Sequence, residues 1–356
     1  MQHQQDRSVT RRGFLAILGI SFAGVVLVAS SPTAQPLPGA AKSPASQTLV
    51  AARPGAQQVT LRLGHNNTAD SPRGRAANFF AKRVGELSKG EIDVQVFADS
   101  VLGGEVQMLE AMQLGTIDFS INTIFANAVK AGSVFDLPFL FRSHEHWRKV
   151  VDGTPGQIVA ETAPPLGLRI LGYWAAGRRD TLSTRPINTT ADFKGLKIRV
   201  MQTPALIEVF KLVGANPTPM AWPEVYLGLQ QKTVDAGESS FDAFWQAKLY
   251  EAAKYAVPTS HSYSTTPILM SEKRWQSLPQ SAQQVLVAAE KETRDFQFKD
   301  FLKDETEVVG RLKDKGVTFT NIDLTKWAAD SRSQVHVKLV TDQTQKTVLE
   351  ELLKVK

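Results

Sequence analysis

Residues 194–240 read KGLKIRVMQTPALIEVFKLVGANPTPMAWPEVYLGLQQKTVDAGESS, and this stretch decides the fold. Lys197–Val200 alternates as a strand does, with Arg199 in its interior. A helix-like segment follows. Gly214 to Pro223 then reads as a rigid loop ending on Trp222, and a second helix-like segment runs to an acidic, small-residue turn at Asp235–Ser240.

Working outward, the same grammar recurs. Val59–Gly64 alternates as a first strand, and Ser71-Pro72-Arg73 opens a helix to about Ser88 with Phe79, Phe80, Val84 and Leu87 at helical spacing. Ile92–Phe97 is a second strand, Val106–Leu114 a helix closed by Gly115, and Ile117–Ile121 a third strand. His146–Val151 and Gly156–Ala163 read as helical, Leu168–Tyr173 and Thr266–Ser271 as strands, Val317–Phe319 as a short strand and Thr325–Val340 as a closing helix. Strands alternating with helices predict an α/β fold with a mainly parallel sheet. From Gln280 to about Lys313 there is no proline and Gly310 is the only glycine, which predicts one helix with Val285, Ala289, Phe296, Phe301, Val308 and Leu312 on its inner side. Such a helix is roughly 50 Å long, more than one small domain is wide, so it is expected to run from one domain to another.

The first thirty residues carry Thr10-Arg11-Arg12-Gly13-Phe14-Leu15 and then an uncharged apolar run to Ala29, the pattern of a twin-arginine export signal rather than a spanning helix. Val28 and Ser30 supply small residues for cleavage after Ser30, with Ala34 a less favoured alternative because of Pro32, and the sequence leaves the exact site open. Residues 31–56, rich in Pro, Ala, Gly, Ser and Gln, read as a flexible linker. The formal charge of +6 falls to +4 once Arg7, Arg11, Arg12 and Asp6 are set aside, with no run of consecutive basic residues, so nucleic acid is not expected as a partner. A mildly basic surface suits an anionic ligand instead. The absence of cysteine excludes disulfides, thiolate metal sites and a lipid-modified cysteine after the signal.

Three segments carry a resemblance to a known family: LGGEVQMLEAMQLGTIDF (102–119), VFDLPFLF (134–141) and the opening stretch. In this order, across nearly all of residues 58–345, the chain resembles the solute-binding proteins of tripartite ATP-independent periplasmic (TRAP) transporters. The resemblance implies a two-domain α/β periplasmic binding protein with a hinge and a long helix spanning both domains. The domains are expected at 57–176 plus 265–304 and at 177–264 plus 305–356. It also implies that Arg199 pairs with the carboxylate of an organic acid, sugar acids included, because a guanidinium offers two parallel charge-assisted hydrogen bonds. Arg179 matches a second family arginine, with Arg178 as its rival. Trp222 stands where the family usually has Phe against the ligand, and Ser239 where many relatives have a ligand-binding Asn. His65, Glu105, Asn122 and Thr123 are the expected contacts from the first domain.

The chain carries no nucleophile elbow, HExxH, P-loop or dinucleotide loop, so neither enzyme chemistry nor a cofactor nor a metal is expected. The resemblance implies instead a monomeric periplasmic protein that delivers a carboxylate to membrane permease subunits. The alternative is a periplasmic sensor presenting its bound acid to a signalling receptor.

Overall fold

The computed structural model describes residues 58–356; the expected signal at 1–30 and linker at 31–56 lie outside them. The chain opens with β1 (Val59–Gly64), α1 (Pro72–Leu87), β2 (Ile92–Phe97), α2 (Glu105–Leu114) and β3 (Phe119–Ile121). The local causes are plain. Ser71 caps α1 by accepting a hydrogen bond from Gly74 N at 3.0 Å, Pro72 takes the first turn, and Ala76, Ala77, Phe80 and Val84 bury one stripe. Gly115, at φ 76°, ends α2 in the left-handed conformation. Two 3₁₀ turns (125–127 and 130–136), α3 (His144–Val151) and α4 (Thr154–Glu161) lead to β4 (Leu168–Ser183).

The second half repeats the scheme with β5 (Lys197–Val200), α5 (Pro204–Leu212), β6 (Asn216–Pro219), α6 (Val225–Gln230), β7 (Ala236–Ser239) and α7 (Phe241–Gln246). The chain then returns through β8 (Tyr255–Ser271), α8 (Glu272–Ser277), α9 (Gln280–Asp314) and β9 (Thr318–Phe319). It closes with α10 (Thr325–Asp330), a π-helical turn (331–336), α11 (Val337–Leu339) and α12 (Gln343–Lys354).

All the strands join one sheet in the order β2-β1-β3-β8-β4-β7-β5-β6, with β9 beside β8. Each end is a parallel triplet in which the first strand in sequence is central: β1 between β2 and β3, β5 between β6 and β7. The long antiparallel strands β4 and β8 join the triplets. Their pairing slips between Ile170 and Gly172, between Ala175 and Arg178, and between Arg179 and Thr181. At the second slip the side chain of Gln297, from α9, bonds to the backbone of Ala175. Its Oε1 accepts from Ala175 N at 2.9 Å and its Nε2 donates to Ala175 O at 2.8 Å. The 35-residue α9 takes part in three hydrophobic clusters, through Leu286 and Ala289, through Phe301, and through Val308 and Leu312. The fold is α/β, and the one long helix α9 touches all three apolar clusters.

Several expectations need correction. The supposed turn at 235–240 contains β7, a fully buried strand between β4 and β5, where small residues suit a sheet covered on both faces. The supposed loop at 214–223 contains β6, an edge strand, which is where prolines such as Pro217 and Pro219 are tolerated. Strands expected to span 168–173 and 266–271 are 16 and 17 residues long; Gly177 and Pro258 disguised their continuation. The closing helix is interrupted by the π-helical turn, and α12 was not foreseen.

Candidate functional site

Strand alternation aims Arg199. Its neighbours Ile198 and Val200 are buried in the main apolar core, so the arginine projects to the other face. There it lines a cleft with Asn66, Asn67, Arg73, Glu105, Thr123, Arg179, Met201, Trp222, Ser239 and Ser264. Of the residues singled out in the sequence, the structure gathers Arg199, Arg179, Trp222, Ser239, Glu105 and Thr123 in one cleft. His65 and Asn122 are fully buried outside its lining, as a correction to the sequence reading. Asn122 holds the start of α2: its Nδ2 donates to Glu105 O at 2.9 Å and its Oδ1 accepts from Ile124 N at 3.1 Å. His65 yields its expected place to the next two residues, Asn66 and Asn67.

Arg199 also has partners within the protein. Its Nε and Nη2 donate to Met220 O at 3.0 and 2.8 Å, and its Cζ lies 5.3 Å from the Trp222 ring centroid. Its Nη1 is 3.8 Å from Glu238 Oε1. Burial lowers the Arg199 guanidinium to about 10, with Glu238 opposing and Arg179 adding to the shift. It remains charged at neutral pH.

Glu238, at the centre of β7, is the hub. Its carboxylate receives Arg179 Nε, Arg179 Nη2 at 2.8 Å and Met201 N at 2.8 Å, while His261 Nε2 stands 3.5 Å away. Arg179 Nη1 also donates to Ser264 Oγ at 2.7 Å. Burial alone would push the Glu238 carboxyl up. The Arg179 charge, the His261 ring and the Arg199 charge outweigh burial and hold it at about 2. Arg178 lies elsewhere, 3.4 Å from Glu305, and of the two arginines it is Arg179 that lines the cleft.

Across the cleft, Glu105 Oε1 accepts from Thr123 N at 2.6 Å and from the Thr123 hydroxyl. Beside it is Arg73, which the sequence reading used only as a helix start. It is 7 % exposed, and its guanidinium meets no acceptor among the described residues at hydrogen-bond distance. Burial lowers its pKa most, with the Asp242 and Glu105 charges opposing and Arg179 reinforcing the fall. The Asp242 carboxyl is itself pushed up to about 7 by burial and by Asp304, so it offsets Arg73 only in part. Three guanidiniums (Arg73, Arg179, Arg199) thus face the carboxylates of Glu105 and Glu238, and guanidiniums outnumber these carboxylates in the site.

Arg73 had a signal in the sequence: it lies in the first turn of the helix following β1, at the crevice edge where α/β proteins bind ligands. Glu238 had none, because its strand was read as a turn. The cleft volume is about 20 Å³, room for one water.

The family model for bacterial extracellular solute-binding proteins, family 7, matches residues 63–340. The chain is 34% identical over 287 residues to the 2,3-diketo-L-gulonate-binding periplasmic protein YiaO of Escherichia coli, covering 80% of this chain and 88% of that one. Its fold is similar to a TRAP periplasmic solute-binding protein of Xanthobacter autotrophicus with bound β-D-galacturonate (TM-score 0.81, 29% identity, 83% and 100% of the two chains). It is also similar to one of Roseobacter denitrificans with bound L-galactonate (TM-score 0.80, 28% identity, 84% and 100%).

Proposed function

The chain belongs to the bacterial extracellular solute-binding proteins of family 7, the binding proteins of TRAP transporters, and on that premise we propose that its cleft captures a hydroxylated monocarboxylic acid of the sugar-acid type. Family members are periplasmic binding proteins rather than enzymes. The observation that carries the ligand class is Glu105 facing the same cleft as three arginines. The excess guanidinium charge calls for one carboxylate, held from Arg199 and Arg179 with Trp222 against its carbon skeleton. A second carboxylate would meet Glu105, whereas a hydroxyl can donate to Glu105 and accept from Arg73 at the same time. Ser239, Thr123, Asn66 and Asn67 complete the polar wall.

The acid is then handed to a membrane permease by a monomeric protein in the periplasm, exported through the twin-arginine signal. The domain limits, 57–176 plus 265–304 and 177–264 plus 305–356, are supported by the slip in β4–β8 pairing. It lies between Ala175 and Arg178 on one strand and between Thr265 and Tyr263 on the other. A hinge there closes the domains over the ligand.

The test is thermal unfolding with D-galacturonate, L-galactonate and succinate. A hydroxylated monocarboxylate at a hundredfold excess over its Kd adds about 2.7 kcal/mol of stability, and succinate adds none. Arg199→Ala removes that stabilisation. Unchanged affinity in the variant would sink the proposed carboxylate clamp.

A further inference from the structure

A second cavity shares no lining residue with the cleft. It lies between the 125–136 segment, the start of α5 and the run from Lys338 to Gln345, and its volume is about 380 Å³. That is within the usual range of small-molecule sites, about 300–1,000 Å³. Its walls are mainly apolar, from Ala126, Pro204, Ala205 and Leu339.

The polar groups around it are satisfied, with one exception. Gln345 donates to Ser133 Oγ at 2.8 Å and accepts from Thr341 N at 2.9 Å, and Asn127 donates to Gln202 O at 3.0 Å. At the rim, Lys130 pairs with Asp342 at 3.2 Å and Lys338 with Glu208 at 2.5 Å. Asp136 is the exception. Asp136 lines the cavity, is 4 % exposed, and its carboxylate accepts no hydrogen bond from any described residue. A buried carboxyl left in this state is unfavourable unless a partner meets it.

We propose that this cavity is a second ligand site, for a compact primary amine with an apolar body, its ammonium on Asp136 and its carbons against Ala126, Pro204, Ala205 and Leu339. An ammonium supplies both things the carboxyl lacks, a hydrogen-bond donor and a countercharge. The paired state of Lys130 and Lys338 leaves the rim open to a cation. Burial pushes the Asp136 carboxyl up to about 7, with Arg179 opposing and Glu238 adding, which agrees with a group lacking such a partner. The proposal is independent of the acid assigned to the cleft.

Calorimetric titration of the full-length protein with n-butylamine tests it. Saturable one-to-one binding is expected, at least tenfold weaker in Asp136→Asn. It is also expected to be weaker in Ala205→Phe, which fills the cavity from α5 without touching the carboxyl. Arg199→Ala is expected to bind the amine as the native protein does, so a failure of the cleft assignment and a failure of this one give different results. Far-ultraviolet dichroism and the thermal midpoint establish that each variant is folded. Either of two results overturns the proposal: no saturable amine binding by the native protein, or equal binding by folded Asp136→Asn. Preferential binding of n-butyrate, sensitive to Ala205→Phe, would overturn it as well, since the site would then take anions.

Discussion

Glu238 joins two arginines that would otherwise repel each other in a buried space, and its replacement is the sharpest residue-scale test of the site. Glu238→Gln keeps the shape and removes the charge, leaving Arg179 and Arg199 without a countercharge. Removing one partner of a buried ion pair costs about 3–5 kcal/mol, and a loss of that size is expected in urea unfolding. A second expectation concerns His65, whose ring nitrogens find no partner among the described residues and whose pKa is lowered to about 4, first by burial and then by Arg73. The folded protein keeps this ring neutral while the unfolded chain protonates it near 6.5, so the unfolded state binds more protons between those values. The His65 contribution is therefore fully present above pH 6.5 and is lost as pH falls towards 4, by on the order of 3 kcal/mol in all. Unfolding free energies of the native protein and His65→Asn across that window should converge as the pH falls; parallel curves would rule out a buried neutral imidazole.

At the scale of elements, the long pair β4–β8 and the helix α9 work as a unit. At the slip beside Ala175, the buried backbone N–H and C=O of that residue are met by Gln297. Gln297→Leu strands both groups, at about 1–3 kcal/mol each. A destabilisation of roughly 2–4 kcal/mol is expected on that basis, together with faster hydrogen exchange at Ala175. Equal stability would mean that water replaces the side chain. The helix itself was legible in sequence because thirty-odd residues without proline leave few alternatives. Its register on the sheet was not. The buried Thr293, Gln297 and Asp304 fall on its inner face, where an apolar pattern was expected. Elements carrying plain periodicity (β1, α1, β2 and α2) were read within a residue or so of their ends. β7 was not, because Asp235, Gly237 and two serines are local turn signals that tertiary burial overrode.

For the whole molecule, the cleft volume of about 20 Å³ sets a requirement: a six-carbon acid enters only if the two domains part. Small-angle scattering should therefore show a larger radius of gyration for the free protein than for the protein saturated with the acid found in the thermal screen. An unchanged radius would place the adjustment in side chains rather than at the hinge.

The sequence by itself pointed to the fold class, the family and Arg199, and left Arg179 with Arg178 as a rival, because periodicity and motif spacing are local properties that survive in a single chain. Only the tertiary structure decided which charges meet. Arg179 and Arg199 are twenty residues apart, and Glu238 is almost forty beyond Arg199; only the order β4-β7-β5 makes them neighbours. The same holds for Arg73, which becomes a cleft residue only when α1 stands across from β5 and β7. Pairing between distant charges depends on sheet order and register, and no local pattern encodes either.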